Sequence, residues 1–325
     1  MSEYGSDHEL QEETLSNPDV VTKYKAASKI VNGALAAVIE ACKPGAKVVE
    51  ICEKADSLMN DCVGHYSPLH DNTAELKEGD LVKIDLGCHI DGYIAQAAHS
   101  LVVASDPAAP KSGEVAPVLG KIAEAYGCNL VDGVMTYEMT RFVIDAQKAV
   151  LQKPSPDMKV DECEFEEGEV YAIDIIVTTG EGKPKVLDEK ETTVYKRAME
   201  VQYQLKMKAS RELLSEVGKK YPTMLFSLRG VEAKQARFGL VECLNHGLLA
   251  AYPVTYEKDG DVVAHIKGTV LLMPSGSDRI TSAPLQPLQS DKSVEDEEIK
   301  ALLATSLKNK KKKKKADKEA APAQA

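Results

Sequence analysis

The sequence predicts an α+β domain in which helices pack on one side of a curved antiparallel sheet. Three observations carry that expectation. Strand-like and helix-like segments are mixed along the chain, two alternating apolar runs flank Asp91-Gly92 as the arms of a hairpin would, and 43% of the 325 residues are apolar, enough to bury a sizeable core. No apolar run approaches the length of a membrane span.

The first helix is expected to start at Asn17-Pro18-Asp19, which offers an N-cap, a proline at the first helical position and an acid in the first turn. Tyr24, Ala27, Val31, Leu35 and Val38 follow at helical spacing, and Lys43-Pro44-Gly45 stops the run. A second helix is expected over Val48–Met59. Alternation of Val82, Ile84 and Leu86 predicts a strand at Leu81–Leu86, and its partner runs from Tyr93 to Val103, so that Asp85 and Gln96 sit on facing strands. Further strands are expected at Val170–Thr178, Thr192–Tyr195 and Val262–Leu272. Helices are expected at Lys121–Tyr126, Glu138–Val150, Glu200–Val217 and Lys234–His246.

Charge is distributed unevenly. Of 40 Lys+Arg and 51 Asp+Glu, the stretch from Lys308 to the end holds eight lysines against Asp317 and Glu319, leaving 32 minus 49, or −17, for the rest. Lys308 and the unbroken run Lys310, Lys311, Lys312, Lys313, Lys314 and Lys315 cannot form a packed element, and they read as a nuclear or nucleolar address, a phosphate-binding arm, or both. On an acidic body such an arm collapses onto its own domain unless a stronger anion competes, and RNA is the obvious competitor. Asp157–Glu169 has two readings, a surface for a basic partner and a solvated loop. Seven cysteines, an odd number without a Cys-x-x-Cys pair, favour reduced thiols in cytosol or nucleus and argue against a zinc site. The acidic amino terminus shows no signal peptide, and no amphipathic helix or acylation signal points to a membrane.

Lys83-Ile-Asp-Leu-Gly-Cys-His-Ile-Asp-Gly92 resembles the first metal-binding motif of type II methionine aminopeptidases. Nearly the whole chain is similar to their non-catalytic relatives, the proliferation-associated, ErbB-receptor-binding protein family, in wording most like the plant members. The landmarks are Cys62-Val-Gly-His-Tyr-Ser-Pro68, the hairpin, Glu166-Glu-Gly-Glu-Val-Tyr-Ala-Ile-Asp174, Leu205-Lys-Met-Lys-Ala-Ser-Arg211, Leu240-Val-Glu-Cys243, Thr269-Val-Leu-Leu-Met-Pro274 and the lysine-rich tail.

The resemblance implies a pita-bread (creatinase/aminopeptidase-like) fold over residues 17–290, with a type II helical insert at about 206–256, an acidic disordered start at 1–16 and a disordered tail at 291–325. It also implies that two internal blocks of the relatives are missing here, one between Asn60 and Cys62 and one between about Pro110 and Gly120. Losing such blocks exposes a sheet edge and an apolar face.

A hydrolytic dimetal site needs converging hard oxygen and imidazole donors. In the positions that the resemblance assigns to ligands, Asp85 fits the first, Gln96 replaces an acid by a neutral amide, no histidine lies near Met135–Met139, Asp174 keeps a carboxylate where the enzymes have Glu, and Lys267 replaces the bridging Glu. An ammonium there repels cations and pairs with Asp85 or Asp174 instead. His65 matches a substrate-contacting histidine of the enzymes, or simply caps its loop.

The resemblance therefore implies a pseudoenzyme without a metal or other cofactor. Expected with it are binding to structured RNA, rRNA and the large ribosomal subunit, room for regulatory protein partners, and residence in cytoplasm and nucleus, including the nucleolus. Lys206, Lys208 and Arg211 make the insert locally basic, either as part of that docking surface or as ordinary helix charges interleaved with Glu212, Glu216 and Glu232. The other readings are a working aminopeptidase that recruits Asp85, Glu138, Asp174 and a histidine, and a pocket that holds a peptide without cutting it.

Overall fold

The computed structural model describes residues 14–59, 74–103, 116–153, 158, 160–161, 163–188, 191–232, 235–284 and 292–305. Helix α1 (Pro18–Ala41) starts as expected, with the Asn17 side chain accepting from Asp19 N at 2.9 Å. Its stripe Tyr24, Ala27, Val31, Leu35 and Val38 is buried. Together with α2 (Val48–Leu58) it covers one face of a hairpin formed by β1 (Leu81–Ile90) and β2 (Tyr93–Val102). Ile84, Leu86 and Cys88 of β1 and Ala95, Ala97 and Leu101 of β2 point into that core. Alternation leaves Asp85, Gln96 and Ala98 on the opposite face. At the hairpin tip Asp91 and Gly92 take φ of 51° and 89°, the left-handed pair of a tight turn. A Cβ on Gly92 would meet the Phe142 ring at 2.7 Å, so glycine is required there twice over.

The remaining elements are α3 (Ala116–Ala125), β3 (Asn129–Leu130), β4 (Met135–Glu138), β5 (Ala149–Leu151), β6 (Val170–Thr178), β7 (Val194–Arg197), α4 (Lys208–Lys220), β8 (Leu225–Ser227), α5 (Ala236–Asn245), β9 (Leu249–Tyr252), β10 (Val263–Met273), β11 (Gly276–Arg279) and α6 (Glu297–Leu303). The main sheet has eight strands in the order β1-β2-β10-β6-β4-β5, with β11 beside β10 and β3 beside β6, and every pairing is antiparallel. The small sheet β8-β7-β9 and helices α4 and α5 form a second unit around its own core of Tyr195, Leu213, Val217, Phe226, Leu240 and Cys243.

Two expected helices are corrected. Glu138–Val150 is not helical: β4 ends at Glu138, a tight turn joins Thr140 to Val143, and the chain returns as β5. Burial of Met139 in the core and pairing of β4 with β6 override the local helical pattern. In Glu200–Val217 the helix begins only at Lys208, because the Glu242 carboxylate of α5 takes the backbone N–H groups of Lys206 and Met207 and so fixes where α4 starts. Ordered chain also extends into the stretch expected to be tail. There α6 buries Ile299 and its N-cap Asp296 pairs with Lys121 of α3 at 2.9 Å.

Candidate functional site

Register across four strands places Asp85 opposite Ala98, Ala98 opposite Lys267, and Lys267 opposite Asp174. Directly opposed residues share a face, so the two acids and the lysine stand in one row on the side of the sheet away from α1. Between Asp85 and Lys267 only the methyl group of Ala98 intervenes. The lysine therefore reaches both acids, with Nζ 2.8 Å from Asp85 Oδ2 and 3.2 Å from Asp174 Oδ2. Its side chain is 9% exposed and those of the acids 19% and 18%.

His265 lies two residues before Lys267, hence on the same face, and its Nε2 is 2.7 Å from Asp174 Oδ1. The Ser100 hydroxyl fixes the His265 backbone by accepting from its N at 2.7 Å and donating to its O at 3.0 Å. Burial raises the Asp174 pKa, but Lys267 and His265 outweigh it and leave the carboxyl below its ordinary value.

Gln96 lies on the same face, beside this row. Its N donates to Thr269 Oγ1, and its O accepts from the hydroxyls of Thr269 and Thr281, at 2.8, 3.0 and 2.8 Å. Its side-chain Nε2 donates to the Met139 thioether at 3.1 Å. A dimetal centre does not fit these donors, because an ammonium sits between the carboxylates that two cations would share, Asp174 is committed to His265, and the Gln96 amide is turned to a sulfur.

The structure thus brings Asp85, Asp174 and Lys267 together and leaves Gln96 beside them in a hydroxyl network. His65, Lys308 and Lys310–Lys315 lie outside the described residues. Lys206 and Lys208 are exposed at the start of α4, where Lys208 pairs with Glu212 at 3.5 Å. Arg211 is spent on its own backbone, donating to the carbonyls of Leu205 and Lys206 at 3.0 and 2.7 Å. His265 and Thr269 were missed from sequence although the parity of β10 places them with Lys267. No sequence signal pointed to Thr281, which arrives from a loop after β11, whereas Met139 ends the segment where the resemblance looks for a ligand histidine.

A relative from Solanum tuberosum, ErbB-3 binding protein 1, is 47% identical over 360 aligned positions, covering 94% of this chain and 93% of its own. The chain belongs to the proliferation-associated, ErbB-3-binding protein family. Residues 57–165 match the model of metallopeptidase family M24. Within this family the Schizosaccharomyces pombe curved DNA-binding protein is 35% identical, covering 94% of this chain and 95% of its own. The solved structure of a thermophilic Arx1 superposes with a TM-score of 0.81 at 27% identity, over 90% of this chain and 99% of that one. The fold is the pita-bread fold. An alignment of 360 positions exceeds the 325 residues of the chain by 35, so at least that much of the potato protein has no counterpart here.

Proposed function

We propose that this member of the family is a non-catalytic, RNA-binding and ribosome-associated regulator of growth, built on an aminopeptidase scaffold. The observation that carries the first half is Lys267, whose ammonium occupies the place between Asp85 and Asp174. It neutralises the carboxylates that would hold metal, so no water is activated and no peptide carbonyl polarised there. The pocket row Asp85, Asp174, Lys267 and His265 then serves as an internal tie between β1, β10 and β6.

The second half rests on the lysine run, which meets the requirements of phosphate binding, and on a relative whose name says that it binds curved DNA. Structured RNA, rRNA and the large ribosomal subunit are the proposed partners, with regulatory proteins besides. Cytoplasm and nucleus, including the nucleolus, are the proposed places. No helix among the described residues is long and apolar enough to cross a membrane.

One preparation tests both halves. Metal content and turnover of a methionyl peptide are measured on the full chain, and its binding to structured RNA and to large ribosomal subunits is titrated over a range of salt. Salt-sensitive binding by a metal-free, inactive protein is the expected result. Two retained metal equivalents with peptide turnover would sink the pseudoenzyme reading in favour of the aminopeptidase. Absence of RNA and ribosome binding would leave only a pocket for a peptide or protein.

A further inference from the structure

The C-terminal end of the described chain is fastened to α3. Asp296 caps α6 by accepting from Glu298 N and Ile299 N at 3.0 and 3.3 Å, and it also pairs with Lys121. Lys292 Nζ donates to Tyr126 O at 2.8 Å, and Ile299 is 3% exposed. The described chain therefore ends, at Thr305, three residues before the lysine run and just past a helix fastened to α3. A seven-residue helix spans only about 10 Å, and the stretch from Thr305 to Lys315 reaches roughly 33 Å when extended.

Helix α3 is also a wall of a cavity of about 790 Å³ that lies away from the Asp85 row, behind the sheet-edge strand β5. Glu124, one turn beyond Lys121, stands at its rim, as does Asp161 of the acidic segment, while Lys153, which also lines it, is paired with Asp132 at 2.8 Å. Leu130, Leu151 and Val160 supply apolar wall. Glu124 and Asp161 are exposed, and neither forms an ion pair among the described residues. An apolar wall under an acidic rim matches the lysine side chain, whose methylene stem packs on apolar surface while its ammonium seeks a carboxylate. Charge favours the same occupant, since the chain without its last 18 residues carries a net −17 and those residues carry eight lysines.

We infer that this cavity is the docking site of the chain's own lysine run, Lys308–Lys318, which an RNA backbone has to displace before the run can bind it. Tethering makes the contact intramolecular, at an effective concentration on the order of millimolar, so individually weak lysine–carboxylate contacts are enough to occupy it. Being superficial, those contacts weaken as salt rises. Docking itself is independent of the proposed function, whereas the competition with RNA rests on it.

Carbodiimide cross-linking of the full chain, read by mass spectrometry, tests the docking. Intramolecular amide links from lysines of the run to Glu124 or Asp161 at low salt, lost at high salt, are expected. Absence of such links overturns the inference, as do links to Glu124 from Lys111 in their place, which would give the cavity to the preceding segment. The competition is tested with a short oligouridylate, which the full-length Glu124→Gln/Asp161→Asn variant binds about three- to tenfold more tightly than the unaltered chain at low salt. Equal affinities overturn the competition. Cross-links in a protein that binds no RNA at all would uphold the docking and sink the proposed function instead.

Discussion

Lys267 sits between two acids, and burial alone would drive Asp174 toward its neutral form. Replacing it by methionine keeps the volume and removes the charge, leaving Asp85 and Asp174 facing each other with no cation between them. Breaking a buried pair in this way costs about 3–5 kcal/mol, so Lys267→Met should lower the urea midpoint strongly at pH 7. A variant as stable as the parent at pH 7 would show that the row does not tie the sheet. Asp174 in the intact protein has a depressed pKa, so its contribution is present above the unfolded value near 3.8 and is lost only as pH falls below that.

Histidines act at higher pH. Burial lowers the pKa of His99, which is 7% exposed with no hydrogen-bond partner at Nε2, and also that of His89, whose Nδ1 accepts from Gly92 N. The unfolded chain takes up these protons near pH 6.5 while the folded one refuses them, so stability should fall as pH drops below about 6.5. His99→Leu should remove its share of that slope and stabilise the fold by about 1 kcal/mol at pH 6 in thermal melts, since an unpaired buried nitrogen is deleted. The charged row was legible in the sequence because the family resemblance assigns ligand positions to Asp85, Asp174 and Lys267, and their chemistry can then be compared with what a metal needs. His265 was not, because its importance comes from strand parity and from a partner 91 residues away.

Glycines separate local propensity from packing at the scale of the element. Gly33 lies exposed within α1 with nothing within 4 Å of an added Cβ, whereas a Cβ on Gly239 of α5 would meet the Ala209 carbonyl of α4 at 2.6 Å. Gly33→Ala should stabilise by roughly 0.5–1 kcal/mol, as helix propensity dictates. Gly239→Ala should destabilise by about 1–3 kcal/mol because two helix backbones must separate. Chemical denaturation of the two variants should move the midpoint in opposite directions, and a common direction would contradict the close α4–α5 approach. The same division explains what was readable. Helix α1 and the β1–β2 hairpin declare themselves through caps, turn residues and periodicity. Residues 138–150 carry a helical pattern but obey β6, and Phe142 accepts a φ of 60° to make the turn, a choice dictated by tertiary contacts rather than by its neighbours in sequence.

For the molecule as a whole, the decisive feature is an acidic body whose sequence carries a basic run after a helix fastened to α3. Two surfaces compete for the nucleic-acid role, the lysine run and the insert, and their charges differ in availability. On α4, Lys208 pairs with Glu212, Lys220 with Glu216 and Glu232, and Arg211 with backbone carbonyls, so much of the insert's positive charge is already engaged. The run offers eight lysines in the last 18 residues. Each phosphate contact to single-stranded RNA contributes about −0.7 to the slope of log affinity against log salt, so ending the chain after Leu307 should flatten that slope by up to about 6. A shift of less than about 1, with most affinity retained, would move the phosphate contacts to the insert. A large shift with residual weak binding would make the arm the source of affinity and leave the insert to choose where on a ribosome or RNA the protein sits, because fixed helices hold their charges in a set geometry.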